Sequence, residues 1–417
     1  MKFNKWTLGL AAGGVVSLGS IAQAEEKPMS QVLTAVSSTT LSGYVDTSAI
    51  WKFGTGNANL PGRAFDGAGS GGPGSNNKLD GFNLNVVELQ LEKPLSEDQW
   101  AAGYRGQLLL GPDANGYNTS PFGGGTSASH DFSLKDAYVA LRVPAGNGID
   151  FKVGSFTTVV GYESFESYLN PNYSRSFGWQ LEPTQHTGVL GSYKITDALS
   201  VSAGVANTWG AGINARPVRT GGTAKESEKT YMASVSVTAP ESWGFLKDSA
   251  WYFGIIDGLA GNTSGATGNS KDTTTVYAGG SLHTPVEGLS VGGAFDYRFN
   301  GPNTITVGDN WAWAIAGYAS FQANEKWKFN ARLDYTEGSD GTFYNRIGSN
   351  QNRLGAATLT ADYALWANVI SRAEFRWDHS MSGDKPYGGT APAAASGAVA
   401  GGQRNAVTLA LNLIYKF

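Results

Sequence analysis

The sequence predicts an all-β protein, a transmembrane antiparallel up-and-down β-barrel of about 16 strands with short turns at one end and long loops at the other. Three observations carry this. Sixteen segments alternate apolar and polar residues with the period of two that an extended strand imposes. The connections between those segments alternate in length. The closing segment sets Val407, Leu409, Leu411, Leu413, Tyr415 and Phe417 on one face and Thr408, Ala410, Asn412, Ile414 and Lys416 on the other, which is the oily-out, water-in pattern of an outer-membrane barrel strand. On that stretch alone an edge strand of a soluble β-sandwich reads the same way, so the other segments decide.

The candidate strands are 40–53, 81–92, 100–110, 131–143, 149–156, 186–195, 198–209, 229–239, 249–258, 272–284, 288–299, 309–321, 325–337, 352–363, 366–379 and 405–417. Their lengths suit a tilted crossing of a bilayer. Short connections fall at Lys93–Gln99, Pro144–Gly148, Thr196–Asp197, Pro240–Asp248, Pro285–Glu287, Gln322–Asn324 and Ala364–Leu365; long ones fall between them, at 54–80, 111–130, 157–185, 210–228, 259–271, 300–308, 338–351 and 380–404. Short periplasmic turns and long extracellular loops produce this rhythm, and a sandwich has no reason to segregate loop length. An even number of strands places both termini on the periplasmic side.

Two segments show the faces most clearly. In 325–337, Trp327, Phe329, Ala331, Leu333 and Tyr335 alternate with Lys326, Lys328, Asn330, Arg332 and Asp334; in 366–379, Ala367, Val369, Ala373, Phe375 and Trp377 alternate with Asn368, Ile370, Arg372, Glu374, Arg376 and Asp378. The charged rows must face water and the oily rows lipid. Sixteen strands enclose too wide a space for side chains alone to fill, so the water is expected inside. Trp51, Trp100, Trp209, Trp243, Trp251, Trp311, Trp313, Trp327, Trp366 and Trp377 lie at or near strand ends, where interfacial aromatic belts form.

The chain begins with Met1-Lys-Phe-Asn-Lys5, an apolar run from Trp6 to Ile21, and Ala22-Gln23-Ala24. This reads as a secretory signal peptide over 1–24, cleaved after Ala24, followed by a short periplasmic segment at 25–39 and the barrel at 40–417. Cleavage takes Lys+Arg from 30 to 28 against 34 acidic residues, so the net charge goes from −4 to −6 and nucleic acid is not an expected partner. Later stretches are too polar for a helical span, with a mean hydropathy of −0.23 over the chain. Cysteine is absent, which removes disulfides and thiolate metal sites. His130, His186, His283 and His379 lack ligand spacing, no Gly-x-Ser-x-Gly elbow occurs, and the glycine-rich stretches at 54–80 and 383–402 lack the Lys-Ser/Thr of a phosphate loop. The expectation is no cofactor, no metal and no enzymatic activity.

The stretches Phe82–Pro94, Ala137–Gly154, Gly161-Tyr162-Glu163 with Asn170–Arg175, and Pro183–Gly188 resemble the OmpL-like β-barrel porins of Gram-negative bacteria. The resemblance covers about the first half of the barrel. It implies an outer-membrane channel and brings no established substrate and no catalytic residues.

The function expected is therefore a water-filled channel for passive diffusion of small hydrophilic solutes or ions. An outer-membrane lipid hydrolase and a plugged structural or adhesive barrel are the alternatives. Outer-membrane lipid, the barrel assembly machinery and the solutes are the expected partners, with a homotrimer as the candidate assembly, and Tyr415 and Phe417 as the assembly signal. The connection 157–185 stands out among the long ones because Tyr162, Phe165, Tyr168, Tyr173, Phe177 and Trp179 replace the usual Gly and Ala. Aromatics at this density seek burial, and the constricting loop of sixteen-strand general porins, which this barrel resembles, also joins strands five and six. The expected pore residues are Glu163, Glu166 and Arg175 from this loop, with Arg105, Arg332, Asp334, Arg372 and Glu374 from the wall. Glu163, Glu166 and Glu182 against Arg175 give the loop −2; Lys326, Lys328 and Arg332 against Asp334 give the facing strand +2. Charges opposed across a narrow lumen would set up a transverse field on passing solutes.

Overall fold

Alternation becomes a wall when each strand pairs with its sequence neighbour. The computed structural model describes residues 39–55, 78, 80–117, 132–219, 223–260, 272–300, 310–339, 353–383, 385, 387–388 and 402–417. The signal peptide, nearly all of the 25–39 segment, most of the glycine-rich loops and His130 lie outside them. The strands are β1 (Thr40–Phe53), β2 (Gly81–Lys93), β3 (Ala102–Leu110), β4 (Phe132–Val143), β5 (Ile149–Thr157), β6 (Gln185–Lys194), β7 (Leu199–Ala206), β8 (Thr230–Thr238), β9 (Ala250–Leu259), β10 (Asp272–His283), β11 (Leu289–Asn300), β12 (Asn310–Gln322), β13 (Trp327–Gly338), β14 (Arg353–Trp366), β15 (Val369–Ser380) and β16 (Asn405–Lys416). Each is antiparallel to its neighbours, and β1 pairs with β16 from Tyr44↔Lys416 to Phe53↔Val407, closing the barrel. Closure leaves no sheet edge to be satisfied in lipid. A two-residue ribbon, Val218–Arg219 with Thr223–Ala224, lies in the connection after β7.

The boundaries differ from sequence expectation where turn chemistry decides them. The turn expected at Ala364–Leu365 lies at Ala367–Asn368, since Asn368 adopts φ 63°, a conformation asparagine tolerates better than leucine. β13 begins at Trp327, two residues later than expected, because the Asn324 carboxamide accepts from the Lys326 and Trp327 amides at 3.0 Å each. Lys326 therefore precedes the strand and sits 5.7 Å over the Tyr363 ring, away from the lumen row in which the alternation placed it.

The two faces follow the alternation. Phe329, Leu333, Leu359, Phe375, Leu411 and Leu413 are exposed on the outside, while Arg332, Asp334, Arg372, Glu374, Arg376 and Asp378 are buried inside. Trp313 packs beside Phe295 and Tyr335 at the long-loop end, and Trp327 beside Phe329 and Tyr363 at the short-turn end, which makes two aromatic girdles. Trp209 is the exception. It is 6% exposed, donates from its indole nitrogen to Thr275 Oγ1 at 3.1 Å and lies under the Arg298 guanidinium at 4.1 Å; a cation and a hydroxyl in the lumen hold it there in place of the interface. Because Leu333 is 68% exposed on the lipid side, Leu333→Arg is expected to destabilise the barrel by about 2–4 kcal/mol, read by urea titration of the protein refolded in lipid vesicles.

Candidate functional site

The connection between β5 and β6, residues 158–184, turns inward. From Thr158 to Gly178 every residue except Tyr168 and Leu169 is buried, and its apolar side chains are distributed around the wall. Val159, Val160 and Tyr162 join a cluster with Leu190, Met232, Ile256, Tyr277 and Tyr318. Phe165 packs with Tyr44, Val86, Leu109 and Ile414; Tyr173 with Ile50 and Ala410; Phe177 and Leu181 with Ala312, Leu354 and Ala406. The Tyr162 ring stacks on Tyr318 at 4.1 Å. Gly292 of β11 is required beneath it, since a Cβ there would collide with the Tyr162 hydroxyl. The density of aromatics is thus satisfied by small or apolar inward residues on strands far apart in sequence.

Polar contacts fix the segment against β13 to β15. The Arg332 guanidinium donates to Glu163 Oε1 at 2.8 Å, to the Ser174 carbonyl at 2.6 Å and to the Arg175 carbonyl at 3.1 Å, and its Nε donates to Asp334 Oδ2 at 2.8 Å. Arg376 donates to the same Arg175 carbonyl at 2.5 Å and pairs with Asp378 at 2.9 Å. Arg372 donates to the Ser167 and Asn170 carbonyls at 3.1 and 3.0 Å while paired with Asp362 at 2.6 Å. Glu374 accepts the Tyr173 and Ser174 amides at 2.6 and 2.9 Å. A loop cannot satisfy its own backbone as a strand ladder does, and here guanidinium and carboxylate groups of the wall do it instead.

On the opposite side Glu166 is paired with Lys135 of β4 and accepts from Gln107 Nε2 of β3 at 3.1 Å. Burial alone would raise this carboxyl, but the Lys135 charge outweighs it and holds the group down at about 2. Glu182 behaves oppositely: half-buried beside Asp296, it is pushed well above the usual carboxylate range, first by desolvation and then by the Asp296 charge. Arg175 donates to the Tyr173 and Phe165 carbonyls at 2.8 and 2.6 Å, folding the segment on itself.

Six of the eight pore residues expected from sequence, Glu163, Arg175, Arg332, Asp334, Arg372 and Glu374, therefore meet on the β13–β15 side, and Glu166 is held from the other side by Lys135. Arg105 stands apart: it pairs with Glu92 at 2.8 Å and lies 3.7 Å from Asp136, within the β2–β4 wall. The charges of the loop and of β13 do not face each other across open water. Glu163 and Arg332 are in contact, and neither is more than 5% exposed.

Lys135, Gln107, Asn85 and Arg376 also line this site and are not among the pore residues expected from sequence. Three of them sit at or beside irregularities in strand register, between Asp46 and Thr47 and between Gly106 and Leu108; bulges of this kind re-aim side chains. The adjacent Lys135 and Asp136, both buried, were the available signal, because period-two alternation would send one of them into lipid.

The closed sixteen-strand barrel with an inward-folded β5–β6 connection defines a porin-type outer-membrane barrel. The family model described as "Putative beta-barrel porin-2, OmpL-like" matches residues 38–417, and the chain belongs to that family. A comparison with curated proteins finds no match. Among solved structures the fold is similar to the outer membrane channel DcaP of Acinetobacter baumannii, at TM-score 0.57 and 13% identity over 93% of this chain and 100% of that one. It is similar also to the trimer form of OmpT of Vibrio cholerae, at 0.56 and 12% over 91% and 99%, and to Salmonella typhi OmpF in complex with daunomycin, at 0.53 and 11% over 93% and 100%.

Proposed function

We propose that this protein is a passive diffusion channel for small hydrophilic solutes or ions, with residues 158–184 as its constriction and no catalytic role. The observation that carries the reading is the anchoring of that segment to inward residues of β13 and β15, which supports a constriction within the barrel. Membership in a porin family and the channel fold support it. Export by residues 1–24 and a homotrimeric assembly, the latter suggested by the trimer form of the Vibrio OmpT structure, belong to the same reading.

Near-complete burial from Thr158 to Gly178 favours a second reading, a barrel plugged by its own loop. Planar bilayers separate the two. The purified protein is expected to give discrete conductance steps, and removing residues 162–179 to enlarge each step. A silent wild type alongside a conducting deletion would establish the plug instead.

A further inference from the structure

The lumen wall is divided by chemistry. The inward rows of β13 to β4 carry the charged network that grips the loop, whereas the inward rows of β7, β8 and β9 carry no charged side chain among the described residues. Towards the short-turn end these strands present serines. Ser192 of β6 lies opposite Ser202 of β7, their hydroxyls 2.8 Å apart; Ser202 lies opposite Ser234 of β8, Ser200 opposite Ser236, and Ser236 opposite Tyr252 of β9. Cross-strand partners share a face, so these six residues form one continuous hydroxyl surface. All six are half-buried, where the loop-gripping residues are fully buried. Water reaches this part of the inner wall. Above it, the buried hydroxyls of Tyr162 and Tyr277 have no hydrogen-bond partner among the described residues.

Charged groups border this surface and are engaged elsewhere. Lys194 pairs with Asp197 at 2.5 Å, Asp150 with Arg142 at 3.2 Å, and Lys152 lies over the Tyr138 ring at 5.0 Å. An ion passing along the serines gives up hydration, and the charges beside them, Asp150 opposite Ser192 and Lys194 opposite Ser200, are already neutralised by their own partners. A neutral polyol exchanges its hydrogen bonds with water for bonds to hydroxyls that both donate and accept. We propose that the open side of the lumen is a hydroxyl-lined path preferring uncharged polyhydroxylated solutes, of the sugar-alcohol type, over ions of equal size, with Ser200, Ser202, Ser234 and Ser236 setting the preference. This rests on the channel reading.

The test is swelling of proteoliposomes containing the full-length protein in isotonic mannitol, glucosamine or gluconate, three six-carbon solutes that are neutral, cationic and anionic. Mannitol is expected to enter at least threefold faster than either ion. Ser202→Val with Ser234→Val should bring mannitol down towards the ions, Thr at both positions should restore it, and Ser202→Asp should favour glucosamine; heat modifiability on gels verifies that each variant is folded. Equal entry of the three solutes, or folded Val and Asp variants that leave the ratios unchanged, would overturn the solute preference while leaving the channel intact. Absence of entry for all three, together with absence of conductance steps, would overturn both.

Discussion

Replacing Arg332 with Met is expected to release the β5–β6 loop. The side chain is 1% exposed and its guanidinium joins Glu163 and Asp334 to the Ser174 and Arg175 carbonyls. Without it two carboxylates are left buried without that partner, and breaking a buried pair from one side costs about 3–5 kcal/mol, more than the pair contributes relative to apolar replacements of both partners. The double variant with Glu163→Gln should therefore lose less than the sum of the single variants, a coupling that a double-mutant cycle measures. The expected signs are a lower unfolding midpoint on semi-native gels, protease cleavage within 158–184, and larger conductance steps. Arg105→Met is the control. Its partners Glu92 and Asp136 belong to the wall, so stability should fall while the loop stays protected. Loop protection unchanged in Arg332→Met would mean that the aromatic packing and the bonds from Arg372, Arg376 and Glu374 hold the segment without Arg332.

The barrel was legible in the sequence because lipid enforces the alternation at every strand. An inward residue can be Ser, Arg or Ile without breaking the wall, but an outward Phe329 or Leu333 cannot be charged at low cost. Ile414 illustrates the asymmetry: it is apolar yet faces inward, fully buried in the cluster that holds Phe165, and the strand could be placed only because Leu411, Leu413 and Tyr415 opposite it are oily. Strand ends were less legible. Asn368 and Asn324 fix two of them through a left-handed backbone and a side-chain bond to amides, effects that hydrophobic periodicity does not contain.

The loop was legible as an anomaly, through six aromatics where its neighbours have glycine, but not as a set of contacts. Which inward residues meet it depends on register and on how far each strand is staggered, and single residues decide that. Asn85 is the extra residue between Thr47↔Leu84 and Asp46↔Val86; in the lumen it bonds Asp46 and Ser48 at 2.7 and 2.9 Å. Counting charges failed for a related reason. Opposite charges on loop and wall attract, so unless something holds them apart they close into pairs, as Glu163 and Arg332 do at 2.8 Å, and the field across the gap disappears with the gap.

Deleting Phe417 should prevent assembly. The barrel seam continues past the last paired strand residues: the Gly43 amide donates to the Phe417 carbonyl and the Phe417 amide to the Gly43 carbonyl, each at 3.0 Å. Without Phe417 both Gly43 groups lose their partners in the seam, whose pairing a barrel in lipid depends on for closure. The ring adds a second contact, lying over Gly43 so closely that a Cβ there would come within 2.8 Å of Phe417 Cζ and collide with the Glu88 carbonyl. Gly43→Val should therefore reproduce much of the defect from the other side of the seam. Phe417→Ala keeps the backbone pair and removes the ring, so it separates hydrogen bonding from side-chain packing or recognition by the assembly machinery. In cells the deletion is expected to leave unassembled, protease-sensitive protein that shows no heat-modifiable band, with Phe417→Ala intermediate. A normal heat-modifiable barrel from the deletion would mean that the ten pairs from Tyr44↔Lys416 to Phe53↔Val407 close the barrel unaided. The terminal aromatic would then have no structural part in the seam.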